Sequence, residues 1–129
     1  TLSHDIHMTM DGQKIFLFTL QTVPKYIKEL LKRNDVEASD INFFALHQAS
    51  GLIVSSVARK LKLEEQQYNR IYKDYGNSGG STVGISVWHA IKDGLINPNS
   101  YIVMSAFGVG LSWANALYRT GDSLPRLYE

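Results

Sequence analysis

The feature that most limits the fold of this chain is an alternation of amphipathic stripes with short apolar runs, closed by two apolar runs in succession. From Ile15 to Leu31, the residues Phe16, Leu20, Val23, Ile27, Leu30 and Leu31 recur mostly at helical spacing, which predicts a helix with one buried face. Pro24 lies inside that stripe. With no N–H it removes the bond to the Leu20 carbonyl, so a kink or two shorter helices are expected. Ile41 to Leu46 is apolar and aromatic, long enough for a buried strand and too short for a helix, and it runs straight into His47.

The stretch Gly51 to Leu63 places Ile53, Val54, Val57, Ala58 and Leu61 on one face and Ser55, Ser56, Arg59, Lys60 and Lys62 on the other, which predicts a second helix. Tyr68 to Tyr72 reads as a strand, followed by a small, turn-prone stretch from Asp74 to Ser81. Val83, Val87, Ile91 and Leu95 predict a third helix ending at Gly94. Tyr101 to Phe107 is an apolar strand, Gly108-Val109-Gly110 a glycine turn, and Leu111 to Tyr118 alternates in the period of two of a half-buried strand. The order helix, strand, helix, strand, helix, strand, strand points to an α/β layered fold whose last two strands form a hairpin. A chain of this class normally opens with a strand, and only His4 to Met10 could supply one.

A length of 129 residues with 44% hydrophobic content suits one domain over residues 1–129 with a real core. Thirteen Lys and Arg against twelve Asp and Glu leave a charge of +1, without the basic stripe that nucleic-acid binding demands. No apolar run is long enough for a membrane span, and the N-terminus lacks the layout of a signal peptide, so a soluble, cytoplasmic protein is expected. The chain has no cysteine, hence no disulfide, thiolate metal site or thiol nucleophile of its own.

His47 stands at the carboxyl end of an expected strand and just before a helix, the edge of an α/β sheet where ligands bind. Asn77 sits in a glycine-rich turn at the same point of the next expected strand-to-helix unit, where it also suits a turn or helix cap. An imidazole and a carboxamide at neighbouring strand ends can converge on one oxygen and stabilise a developing oxyanion. Gly108-Val109-Gly110, at the corresponding edge of the third strand, can offer a backbone N–H. Neither glycine-rich segment matches a dinucleotide or phosphate-loop pattern. His4 and His7 flank Asp5 at a spacing that suits a metal only on a helix, and near a chain end they read as solvated, so no metal site is expected. His89 reads as packing or surface, and Ser78 and Ser81 as turn and N-cap residues without a nucleophile elbow.

The strings Leu46-His47-Gln48-Ala49, Tyr75-Gly76-Asn77-Ser78-Gly79-Gly80-Ser81 and Ala106-Phe107-Gly108-Val109-Gly110-Leu111-Ser112-Trp113, in this order and spacing, resemble the C-terminal half of 3-oxoacyl-acyl-carrier-protein synthase III. Met10-Asp11-Gly12 and the stretch Lys92 to Pro98 resemble it too, so the similarity spans about residues 6 to 119. It implies the C-terminal half of a thiolase-like α/β fold, layered helices on a mixed sheet ending in a β-hairpin, with the first half supplying the cysteine nucleophile. The implied reaction is a decarboxylative Claisen condensation of a coenzyme A thioester with malonyl-acyl carrier protein in fatty-acid synthesis. By motif position His47 and Asn77 hold the malonyl thioester carbonyl as it becomes an enolate, the Val109 N–H serves the acyl-cysteine oxyanion, and Gly79, Gly108 and Gly110 contact substrate. No cofactor is implied beyond these substrates; the implied partners are the N-terminal half, the carrier protein and a second copy in a homo-oligomer.

The chain departs from the family at Val109, where three consecutive glycines are usual, at Leu46, where proline is usual, and at Leu52, where an arginine that meets the carrier protein is common. A non-catalytic subunit role, a secondary-metabolite ketosynthase, and a chalcone-synthase-like or hydroxymethylglutaryl-type synthase are the alternatives. In the fold so implied, each half has its first strand at the centre of its sheet. A chain starting after that strand is expected to leave a gap between the Ile41 strand and the final hairpin, filled by residues 4–10, a second copy or the missing half.

Overall fold

The computed structural model of the chain describes residues 10–124. The first helix, α1 (Gly12–Arg33), starts where the Asp11 carboxylate accepts the Lys14 N–H at 3.1 Å. It is one continuous helix through Pro24, not two. The Leu20 carbonyl, which the proline leaves without its helical donor, accepts instead from Lys60 Nζ at 3.1 Å.

The strand β1 (Phe43–Leu46) is buried along its whole length and alternates between two cores. Phe44 and Leu46 point into a cluster with Val23, Ile27 and Leu31 of α1 and with Val57 and Leu61 of α2 (Gly51–Leu61). Phe43 and Ala45 face the opposite side, where Ala90 and Ile96 close the core beneath the long helix Ser81–Lys92. Burial on both faces explains why this strand reads as a continuous apolar run. The helix α2 begins at Ser50, whose hydroxyl accepts the Ile53 N–H, and stops two residues before the expected Leu63 because Lys62 turns into a left-handed conformation.

Between α2 and the long helix, residues Tyr68 to Tyr72 do not form the expected strand. They lead into a short helix, α3 (Tyr72–Tyr75), after which comes α4 (Ser81–Lys92). The tyrosine and isoleucine content of 68–72 suits a strand, but no strand among the described residues pairs with it. Its backbone is met by a side chain: Gln48 Nε2 donates to the Asn69 carbonyl at 3.3 Å, and Gln48 Oε1 accepts the Tyr72 N–H at 3.3 Å. Asn69 in turn donates to the Ser86 carbonyl and accepts from the Ser86 hydroxyl, tying the segment to α4. Helix α4 ends at Lys92, two residues before the expected Gly94; Asp93 caps it, and Gly94, with φ +72°, turns the chain so that the Leu95 N–H bonds the Ala90 carbonyl.

The strands β2 (Tyr101–Gly108) and β3 (Ser112–Arg119) form the expected antiparallel hairpin, and β1 pairs with β2 in parallel, Phe43 opposite Ile102 and Leu46 opposite Ser105. The sheet order is β1-β2-β3, a mixed sheet. The expected gap beside the hairpin therefore does not exist: β1 is hydrogen-bonded directly to β2, and no strand lies between them. Of the candidate opening strand, residues 4–9 lie outside the described residues, and Met10 is not in a strand. The outer strand β3 is held to α1 chiefly by Trp113, whose ring packs at 5.8 Å from Phe18 and 4.9 Å from Tyr26.

Candidate functional site

Parallel pairing puts the carboxyl ends of β1 and β2 at the same edge of the sheet. His47 follows β1 there; its backbone N–H donates to the Ser105 carbonyl at 2.9 Å, and its ring meets the edge of Phe107 at 5.1 Å. Phe107 precedes Gly108, so the imidazole sits one residue from the glycine turn that closes the hairpin. The residue is buried, 8% exposed.

The ring is anchored from the other side by the first turn of α4. His47 Nδ1 lies 2.6 Å from Thr82 Oγ1, and Thr82 Oγ1 also accepts the Gln48 N–H at 3.2 Å and lies 2.9 Å from the Gly79 carbonyl. Thr82 is fully buried. The engaged nitrogen is Nδ1, so Nε2 is the ring atom available to a ligand.

Asn77 lies in the exposed loop between α3 and α4, not after a strand as the sequence pattern suggested. The loop is stapled at both ends, by Gln48 through Asn69 and Tyr72 and by Thr82 through His47. Within it Asn77 Oδ1 accepts the Gly79 N–H at 3.2 Å, an Asx turn that commits the carbonyl end of the amide and leaves Nδ2 to donate outward. Gly76 and Gly79 carry positive φ, +63° and +66°, conformations open to glycine that bend the loop on either side of Asn77. Gly80, not Ser81, is the N-cap of α4; Ser81 is the first helical residue, and its hydroxyl donates to the Ser78 carbonyl at 2.7 Å.

Val109 stands at the tip of the hairpin turn, 94% exposed, its carbonyl accepting from the Ser112 hydroxyl at 2.7 Å. No hydrogen bond among the described residues joins it to His47 or Asn77. Gly108 ends β2 and Gly110 follows Val109 in the turn. Beside them a hollow of about 360 Å³ is lined by Ala106, Phe107, Gly108, Ser112, Trp113 and Ala114. His4 and His7 lie outside the described residues. His89 packs on the surface of α4 between Trp88 and Tyr75, its Nε2 2.9 Å from the Tyr75 hydroxyl.

Gln48 and Thr82 were not singled out from the sequence. A signal for each was present: a glutamine directly after the candidate histidine at a buried strand end, and a threonine three residues after Gly79 in the first turn of a helix.

Burial holds the His47 imidazole below the ordinary histidine range, and the nearby Gly79 carbonyl, which favours the protonated ring, only partly opposes it. The ring is therefore neutral at pH 7. As pH falls through about 6.5 the unfolded chain takes up this proton before the folded one does, so stability is lost on acidification below that point. Denaturation midpoints measured from pH 7 to pH 5 should fall for the natural chain and fall less steeply for His47→Gln. Equal slopes would remove the buried neutral imidazole from this account.

Residues 31–120 match a family model described as 3-oxoacyl-[acyl-carrier-protein (ACP)] synthase III C terminal. A similar curated protein is the beta-ketoacyl-[acyl-carrier-protein] synthase III of Microcystis aeruginosa, 30% identical over 115 residues covering 89% of this chain and 34% of that protein. Among solved structures, a 3-oxoacyl-(acyl-carrier protein) synthase from Burkholderia xenovorans is 32% identical with a TM-score of 0.79, over 88% of this chain and 32% of that one. The priming beta-ketosynthase of the R1128 polyketide biosynthetic pathway is 25% identical with a TM-score of 0.82, over 88% of this chain and 34% of the other. The chain thus spans about a third of the length of the relatives it matches.

Proposed function

The chain belongs to the 3-oxoacyl-[acyl-carrier-protein] synthase III C-terminal family, with its thiolase-like α/β fold, and on that premise we propose that it supplies the carbonyl-activating half of a condensing active site. Residues 1–129 act as one domain beside a first half that bears the cysteine. In the reaction, the cysteine thiolate attacks the acyl-CoA carbonyl, forming an acyl thioester and releasing coenzyme A. The malonyl group on acyl carrier protein then loses CO₂, its electron pair becoming an enolate. That carbanion attacks the acyl thioester and expels the cysteine thiolate.

His47 Nε2 and Asn77 Nδ2 donate to the malonyl thioester oxygen as negative charge builds on it, which stabilises the enolate more than the ground state. The observation that carries this reading is the hydrogen bond between His47 Nδ1 and Thr82 Oγ1, which also meets Gly79 of the loop bearing Asn77 and so couples the imidazole to that loop while leaving Nε2 free. The Val109 N–H, on an exposed turn at the same sheet edge, is the donor proposed for the acyl-cysteine oxyanion, and Gly79, Gly108 and Gly110 keep the backbone approachable there. The site needs no cofactor. The partners of the assembled enzyme are the cysteine-bearing half, coenzyme A thioesters, acyl carrier protein and a second copy, in the cytoplasm. No helix among the described residues is long and apolar enough to cross a membrane.

The similarity to a polyketide priming ketosynthase favours a second reading of the substrate, in which the same site extends a starter acyl group for secondary metabolism. The chemistry asked of His47 and Asn77 is unchanged.

A panel of acyl-CoA thioesters, followed by intact and peptide mass spectrometry, tests the division of labour. The 129-residue chain alone should gain no acyl mass, because it has no cysteine. The complete enzyme should gain one acyl group on a residue outside this domain. An acyl group on a hydroxyl within the domain would overturn the proposal, and the preferred acyl length would choose between the two substrate readings.

A further inference from the structure

We infer that Thr82 is a positioning residue that sets the tautomer of His47: its hydroxyl donates to Nδ1, so that Nε2 carries the ring hydrogen that reaches the substrate carbonyl. The inference rests on the reading of His47 given above. A neutral imidazole has one N–H, and which nitrogen holds it depends on what the other nitrogen meets. If Nδ1 held the hydrogen, Nε2 would present a lone pair to the thioester oxygen, and two lone pairs repel.

Four distances fit donation from Thr82. Oγ1 lies 2.6 Å from His47 Nδ1 and 2.9 Å from the Gly79 carbonyl, the two groups that compete for its single proton. The Gly79 carbonyl already accepts the Thr82 backbone N–H at 3.2 Å, so it does not depend on the hydroxyl. The Gln48 N–H fills one lone pair of Oγ1 at 3.2 Å, which turns the hydroxyl hydrogen away from that direction. Whether the hydroxyl proton is directed at Nδ1 or at the Gly79 carbonyl, every polar atom of this buried group has a partner, so the substrate decides between the two: only with that proton directed at Nδ1 does Nε2 donate. Burial also disfavours the doubly protonated ring, which would otherwise donate from Nε2 without help from a neighbour. The Thr82 side chain has no access to solvent, so it acts on the site only through the neighbours it bonds, His47, Gln48 and Gly79.

The tautomer is read directly from the two ring-nitrogen resonances of His47 in the ¹⁵N-labelled chain, near pH 7.5. The natural chain and Thr82→Ser should show Nε2–H, whereas Thr82→Val, which keeps the volume and loses the hydroxyl, should move the hydrogen to Nδ1. In the complete enzyme, with the cysteine blocked, Thr82→Val should slow malonyl decarboxylation by about 10- to 100-fold, less than full loss of an oxyanion donor, and Thr82→Ser should stay close to the natural rate. An Nδ1–H ring in the natural chain, or an Nε2–H ring retained in Thr82→Val, overturns the inference. If Thr82→Val does not fold, the tautomer of the natural chain still decides. A His47→Ala enzyme with undiminished decarboxylation would defeat the parent reading instead, so the two failures are distinguishable.

Discussion

Replacing His47 with alanine in the complete enzyme should slow malonyl decarboxylation by roughly 10²–10³-fold, the scale of losing one preorganised donor to a developing oxyanion. The loss should appear equally in kcat and kcat/KM, because the donor matters most when charge has built up on the thioester oxygen. The fold should survive the change. Thr82 Oγ1 retains the Gly79 carbonyl and the Gln48 N–H as partners, and the loop bearing Asn77 keeps its anchorage through Asn69 and Tyr72. Asn77→Ala should give a loss of similar order, and the double variant less than the product of the two, since both donors serve one oxygen. The readout is CO₂ release from malonyl thioester with the cysteine blocked, which isolates this step from acyl transfer. An unchanged rate in His47→Ala would assign the carbonyl to another group.

Much of the local structure around the candidate site was legible in the sequence because its parts announce themselves locally. His47 comes directly after a buried strand, and four consecutive buried residues in β1 leave a period-free apolar run that a helix of that length cannot explain. Gly94 marked the turn that follows α4, where the chain takes a positive φ that glycine adopts most readily. The end of α2 was not legible, since Lys62 takes a left-handed conformation that its residue type does not advertise. The segment Tyr68 to Tyr72 was misread for a related reason. Its residues have strand propensity, but propensity says nothing of whether a neighbour strand exists, and here a glutamine side chain from across the fold takes the backbone bonds. The Leu20 carbonyl that Pro24 leaves without its helical donor is likewise met by a lysine forty residues away in sequence. The expected gap in the sheet came from a topology carried over by resemblance, and direct pairing of β1 with β2 replaces it. Asn77 was singled out by its motif, and the strand-end argument for it fails, because α3 and not a strand precedes its loop.

Gln48 carries the largest expected effect on stability. Its side chain is 1% exposed and serves three backbone groups: it donates to the Leu46 carbonyl at 3.0 Å and the Asn69 carbonyl at 3.3 Å, and accepts the Tyr72 N–H at 3.3 Å. Gln48→Met keeps the length and approximate volume, so no cavity term enters, and it leaves those three groups without their partner. An unsatisfied buried polar group costs about 1–3 kcal/mol; with two of the three bonds long, a total of roughly 3 kcal/mol is expected. For a domain of this size that is a fall in Tm of about 10 °C. The damage should also be local in origin. Amide exchange should accelerate across 69–80, the segment Gln48 secures, before it accelerates in the β2–β3 hairpin, whose ladder is independent of Gln48. Loosening that segment displaces Asn77 relative to His47, so decarboxylation by the complete enzyme should weaken even at temperatures where the variant is folded. A Tm within about 2 °C of the natural chain, or uniform acceleration of exchange, would mean that the loop carrying Asn77 is held by something other than this glutamine.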